Sequence, residues 1–254
     1  MNPFDLSGRV AVVTGGNGGI GFGMATGLAK AGASIVVAAR NRDKSEAAVA
    51  RLAASGAASA FIPLDVADPD SCREMVRRTV ERFGRLDILV NNAGMSIRKP
   101  PEDYAVAEWH IVLDTNLTGP LVCCQAAYKL MKDQGGGKII NIGSMMSLFG
   151  AAYAAAYSAS KGAIVQLTRS LATAWARDNI QVNAVLPGWI DTELTIAARQ
   201  QVEGLHERIL RRTPAGRWGV PTDMAGIAVF LAAPASDFVT GTAIPVDGGY
   251  SVEF

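Results

Sequence analysis

Histidine is almost missing from this chain: 254 residues contain two, His110 and His206, far apart in sequence. A Ser-His-Asp hydrolase would have to recruit one of them, and neither stands in a recognisable setting for that role. Cysteine is scarce as well. Cys72, Cys123 and Cys124 are odd in number and lack zinc-ligand spacing, so reduced thiols in a cytoplasmic protein are the simplest account, and no metal is expected. Net charge is also nearly absent. The 24 Lys+Arg against 23 Asp+Glu leave +1, which gives no basic surface for nucleic acid or an acidic membrane. No apolar run approaches the ~18–20 residues of a membrane span. The stretch Met1 to Arg9 lacks the basic and apolar regions of a signal peptide.

What remains is a chain with 49% hydrophobic and 19% charged residues, enough to bury a large core. Short apolar runs at Val10–Thr14, Ile35–Ala39, Ala60–Leu64, Leu86–Val90, Lys138–Ile142, Gln181–Leu186 and Ala243–Val246 read as strands. Most are continuous rather than alternating, as expected where helices cover both faces of a sheet. Amphipathic stretches at about 19–31, 43–55, 69–83, 103–133, 156–177, 193–211 and 221–232 read as helices. Repetition of strand and helix at this spacing predicts right-handed βαβ units and a doubly wound, seven-stranded parallel sheet of the Rossmann kind. No Pro/Gly/Ser-rich linker interrupts it, so 1–254 is expected to be one domain.

The first strand runs into Thr14-Gly-Gly-Asn-Gly-Gly-Ile-Gly21 and then into a helix. Glycine lets backbone approach a phosphate with no Cβ in the way, and the following helix N-terminus offers free N–H groups to a pyrophosphate. Gly16, Gly18 and Gly21 fit G-x-G-x-x-G literally; Gly15, Gly19 and Gly21 fit the alternative register. A dinucleotide with two ribose hydroxyls usually meets an acid at the end of the second strand. Ala39 stands there, followed by Arg40, Asn41 and Arg42. A guanidinium in that place suits a 2′-phosphate, so NADP(H) is favoured over NAD(H), which stays possible.

Tyr157-Ser-Ala-Ser-Lys161 puts a phenol and an ammonium one turn apart on the same helical face. A nearby ammonium favours a phenolate, so the pair suits proton transfer to or from an oxygen near neutral pH. Ser144 lies thirteen residues upstream, at the end of the apolar run Lys138–Ile142.

Taken in order, the glycine turn, Asn91-Asn-Ala-Gly94, Asn116, Ser144, Tyr157, Lys161 and Pro187-Gly188 resemble the short-chain dehydrogenase/reductase family over essentially the whole chain. The resemblance favours the Gly15/Gly19/Gly21 register. It implies a catalytic tetrad of Asn116, Ser144, Tyr157 and Lys161, with Tyr157 as acid/base, Ser144 as hydrogen-bond donor, Lys161 lowering the tyrosine pKa, and Asn116 disturbing its helix and anchoring a proton-relaying water. It further implies cofactor contacts from Gly15, Asn17, Gly18, Gly19, Ile20, Gly21, Arg40, Asn41, Asp65, Val66, Asn92, Ala93, Gly94, Tyr157, Lys161, Pro187, Gly188, Ile190 and Thr192. A nucleotide half at about 1–95, a catalytic half at about 96–254, a lid at about 189–218 and a homotetramer follow from the same likeness. Arg98, Ile139 to Met145 and Pro214 to Gly219 are similar to the branch of gluconate 5-dehydrogenases and 2-deoxygluconate 3-dehydrogenases. That branch implies a sugar-acid or keto-sugar substrate held by Arg98, Ser144, Met146, Tyr157 and Trp189. A 3-oxoacyl-carrier-protein reductase, a broad ketone reductase and a non-enzymatic NADP(H)-binding redox sensor stay open beside it.

Overall fold

The computed structural model describes residues 2–253. Seven strands, β1 (Val10–Thr14), β2 (Ser34–Ala39), β3 (Ser59–Pro63), β4 (Ile88–Asn91), β5 (Gly137–Ile142), β6 (Ile180–Pro187) and β7 (Ala243–Val246), form one sheet in the order β3-β2-β1-β4-β5-β6-β7. Every pairing is parallel. The order reverses at β1, which lies between β2 and β4, and the crevice beyond that switch point is where open α/β sheets take ligands.

The continuous apolar strands are buried on both sides, as the sequence pattern predicts. Ala11, Val13, Ile35 and Val37 point into one core with helix α1 (Gly19–Lys30) and helix α9 (Ala225–Ala232). Val10, Val12, Val36 and Ala38 point into the other, with α3 (Pro69–Phe83), α5 (Gly119–Asp133) and α6 (Ala155–Trp175). Helix α2 (Arg42–Ala54) starts at Asn41, whose side chain accepts from Lys44 N. Helix α3 starts at Asp68 with Pro69 in its first turn and stops at left-handed Gly84. β4 begins two residues later than the sequence suggests, and the buried Asp87 carboxylate just before it accepts from Val10 N and pairs with Arg9 and Arg85. Those cations and the backbone donor hold its carboxyl below the usual range against the cost of burial.

Two expected helices are broken. The stretch 103–133 consists of a 3-10 turn at Pro101–Asp103, α4 (Val106–Leu113), a π-helical segment Asp114–Thr118 and α5. The expected helix 193–211 divides into α7 (Glu193–Gln201) and α8 (Leu205–Arg212), separated by Gly204 at φ 64. Its base is fastened by a short parallel bridge between Ile190 and Gly219. Among the described residues no helix is long and apolar enough to cross a membrane.

Candidate active site

The carboxyl ends of β1, β2, β4, β5 and β6 open into one cleft of about 560 Å³. Its first wall is the glycine turn. Gly15 (φ 63) and Gly19 (φ 48) have left-handed backbone, which a side chain would strain. Gly16 and Gly18 are not left-handed, so the backbone favours the register Gly15/Gly19/Gly21; at Gly21, common to both registers, a Cβ would meet Gly15 O at 2.5 Å. Asn92 braces this turn from β4. Its side chain donates to Thr14 O (2.9 Å) and Gly15 O (3.2 Å), while Thr14 Oγ1 accepts from Asn92 N and Ala93 N. The result is an unobstructed cradle of backbone at the start of α1, with Asn17, Gly18 and Ile20 on its lining.

Along the cleft follow Arg40 and Asn41 after β2, Asp65 and Val66 after β3, Ala93 and Gly94 after β4, Pro187 and Gly188 after β6, and Ile190 and Thr192 at the lid's root. Of the cofactor residues expected from sequence, only Gly21 does not line the cleft; it shapes the turn from inside. Arg40 is exposed and has no ion-pair partner among the described residues. The lining thus offers glycine backbone, a helix N-terminus and a free guanidinium, a set that fits a phosphorylated dinucleotide.

Ser144, Tyr157 and Lys161 lie at the far end of the same cleft. Ser144 ends β5 and caps the 3-10 turn Met145–Ser147, accepting from Met146 N at 3.2 Å. Ser147 Oγ ties that turn to Lys161 O at 2.6 Å, so the serine and the lysine are held relative to each other. Lys161 is 4% exposed, and its ammonium donates to Ile142 O at 2.6 Å. Burial without a carboxylate partner pulls its pKa from 10.5 to about 8.

Tyr157 behaves differently from the expectation. Burial raises its phenol above the ordinary 10, with a Ser144 hydrogen bond and the Arg98 charge opposing the rise. Lys161 does not dominate, because its ammonium is turned to Ile142 O and stands 5.6 Å from the centre of the tyrosine ring. A phenol so placed stays protonated through neutral pH and is ready to donate.

Asn116 sits in the π-helical segment, in line with the expected local disturbance. Its side chain accepts from Met95 N (2.9 Å) and donates to Met95 O (2.9 Å) and Ser160 Oγ (3.1 Å). The amide therefore staples the segment after β4 to α6. A Cβ at Gly94 would lie 3.3 Å from Asn116 Oδ1 and 3.7 Å from Lys161 Nζ, so glycine keeps this corner open.

Arg98, Met146 and Trp189 border the cleft together with Ser144 and Tyr157. Arg98 also ties down α7, donating to Leu194 O (3.1 Å) and Gln201 Oε1 (3.2 Å). Two of its five N–H donors are thereby used. Trp189 packs edge-on to Trp218 (5.7 Å) and Tyr250 (6.4 Å), yet its indole N–H is buried without a partner. Lys44 and Glu193 also line the cleft and were not singled out as site residues in the sequence. The legible signal was a lysine in the first turn of a helix, where the macrodipole disfavours it.

A family profile described as enoyl-(acyl carrier protein) reductase matches residues 15–251. The chain belongs to the short-chain dehydrogenase/reductase family. Among relatives of this family, a 2-dehydro-3-deoxy-D-gluconate 5-dehydrogenase of Dickeya dadantii (strain 3937) is 41% identical over 251 residues, covering 98% of each chain. A 5-keto-D-gluconate 5-reductase of Escherichia coli (strain K12) is 40% identical over 249 residues, again covering 98% of each. In three dimensions the chain is similar to a gluconate 5-dehydrogenase from Burkholderia cenocepacia J2315 in complex with NADP and tartrate. The TM-score is 0.94 at 40% identity, over 100% of this chain and 99% of that one. As a short-chain dehydrogenase/reductase, the protein is an oxidoreductase of CH–OH groups.

Proposed function

We propose that the protein interconverts a secondary alcohol and a ketone on a sugar acid or keto-sugar, with NADP(H) as the hydride carrier. The observation that carries this reading is the gathering of Ser144, Tyr157 and Lys161 at the end of a glycine-walled cleft, with Arg98 at its mouth. Bound there, NADP(H) would supply or accept a hydride at the reacting carbon. In reduction, Tyr157 gives its proton to the carbonyl oxygen, and Ser144 donates a hydrogen bond to the same oxygen as charge develops. In oxidation, the phenolate takes the proton from the alcohol. Lys161 supplies a buried donor for the nicotinamide ribose and a second proton store near pH 8. Asn116 positions Met95 and Ser160 around these groups.

The sugar-acid reading is supported by the activities that name the relatives, by the unspent donors of Arg98, and by the unpartnered indole N–H of Trp189, which suits a substrate hydroxyl. The decisive test is turnover on a panel of keto-gluconates, cyclic ketones and acetoacetyl thioesters. Selective turnover of a keto-sugar acid is expected, and Arg98→Ala should raise its KM about 10- to 100-fold, the loss of a charge-assisted pair. Turnover confined to thioesters would replace this reading with acyl-carrier reduction. Cofactor binding with no turnover at all would make the protein a redox sensor.

NADP(H) is supported by Arg40 at the end of β2 and by the lack of any carboxylate beside Ala39. Arg40→Asp is expected to reverse the preference toward NADH, measured as the ratio of kcat/KM for the two cofactors; an unchanged ratio would remove Arg40 from 2′-phosphate recognition. The buried free thiols of Cys72, Cys123 and Cys124 support a reducing, cytoplasmic setting. A homotetramer is supported by the exposed apolar side chains of Val106, Ile111, Leu148, Phe238 and Val252. Light scattering on the purified protein tests it.

A further inference from the structure

Lys44 is the third residue of α2, in the first turn of a 13-residue helix. A cation there faces the positive end of the helix macrodipole, an unfavourable place unless an anion comes to it. The side chain does not turn away to solvent. It crosses to the glycine turn, where its Cε and Nζ lie 2.9 and 3.0 Å from the point a Gly18 Cβ would occupy. The absent side chain at position 18 is what makes room for it.

The anion that meets Lys44 comes from the lid. Both carboxylate oxygens of Glu193, the first residue of α7, accept from Lys44 Nζ, at 2.7 and 2.9 Å. The two residues are 149 positions apart, and the pair bridges the opening of the cleft. It is exposed, with 83% of the Glu193 side chain accessible, and ion pairs in that setting are weak and exchangeable. The neighbouring cation Arg42 does not line the cleft and pairs along α2 with Glu46 at 3.0 Å, and Asn41 caps the helix. Arg40 and Lys44 are thus the two cations on this end of the cleft lining.

We propose that Lys44 is a second specificity-determining residue for the cofactor 2′-phosphate, and that Glu193 holds its ammonium until the phosphate displaces it. The proposal rests on the NADP(H) reading. A dianionic phosphate offers the ammonium more charge than a solvated carboxylate, and it also meets Arg40 and the N-terminal end of α2. Exchange of partners frees the start of α7, so the arrival of the phosphate is felt by the lid. Discrimination against NADH then has two parts, since a cofactor without the 2′-phosphate leaves the Lys44–Glu193 pair intact.

Dissociation constants measured by calorimetry for NADPH, NADH, adenosine 2′,5′-bisphosphate and 5′-AMP test this without reference to turnover. In Lys44→Ala, affinity for NADPH and the bisphosphate is expected to fall about tenfold or more, the loss of a charge-assisted contact, while NADH and 5′-AMP change little. Glu193→Gln should tighten NADPH and the bisphosphate selectively, and should have no such effect in the Lys44→Ala background. Wild-type preference for NADPH with an unmoved Lys44→Ala variant would leave Arg40 as the reader and overturn the role of Lys44. Equal losses for NADPH and NADH would assign Lys44 to the pyrophosphate and overturn it as well. Wild-type preference for NADH would overturn the NADP(H) reading itself.

Discussion

Replacing Tyr157 with phenylalanine is expected to lower kcat by about 10²–10⁴-fold, the range that a positioned general acid contributes, while dinucleotide affinity stays near wild type. The substitution removes one hydroxyl and leaves the ring in place against the cleft. The raised phenol pKa gives the accompanying pH dependence its sign. Reduction needs the protonated phenol, so its rate should hold through neutral pH and fall only at alkaline pH. Oxidation needs the phenolate, so its rate should climb with pH. Lys161, at about 8, adds an inflection in that region. Near-normal turnover in Tyr157→Phe, with the same pH profile, would remove this residue from the chemistry.

The second large effect runs in the opposite direction for stability. Lys161→Met is expected to raise the melting temperature at pH 7 while abolishing most turnover. The ammonium is 4% exposed and has no carboxylate partner among the described residues. Lowering its pKa from 10.5 to about 8 corresponds to about 3 kcal/mol of destabilisation by the charged form. Loss of the hydrogen bond to Ile142 O takes back about 1 kcal/mol. The net gain translates into an upward shift of roughly 4–8 °C for a chain of this size. The folded pKa is depressed, so between about 8 and 10.5 the unfolded chain binds more protons, and wild-type stability rises with pH across that window. The advantage of Lys161→Met should therefore be full below pH 8 and fade toward pH 10.5. Melting curves of both proteins from pH 7 to alkaline conditions test this. A variant that melts lower at every pH would show that the ammonium stabilises the fold. A lysine that costs stability where it serves chemistry is the usual trade at an active site.

Strand positions were legible because residues buried on both faces leave an unmistakable run, and Ile35 to Ala39 or Lys138 to Ile142 could hardly be read otherwise. Tyr157, Lys161 and Ser144 were legible because each follows directly from a strand end or a helical spacing. The π-helical segment at Asp114–Thr118 left no trace in the apolar period, since one extra residue in a turn barely changes it; the disturbance at Asn116 was expected only from the family resemblance, and the staple from Asn116 to Met95 and Ser160 accompanies it. The lid break carried its own mark in Gly204, which the helical pattern on either side obscured. The contact of Arg98 with α7 depends on Leu194 and Gln201, about a hundred residues away, and no local pattern reports such a partner. The burial that raises the Tyr157 phenol in the cofactor-free protein was not legible for a related reason: sequence spacing gives proximity to an ammonium, but burial is a property of the whole fold.

The brace from Asn92 to Thr14 and Gly15 also dictates when the nucleotide site can exist during synthesis. The glycine motif leaves the ribosome early, complete in its residues, but the side chain that fixes its shape follows 77 positions after Gly15. A nascent chain ending within α3 would carry every phosphate-facing glycine and still lack the Asn92 brace on Thr14 O and Gly15 O. The finished nucleotide turn is thus a joint product of β1 and the segment after β4, two pieces of chain that meet only when those strands pair.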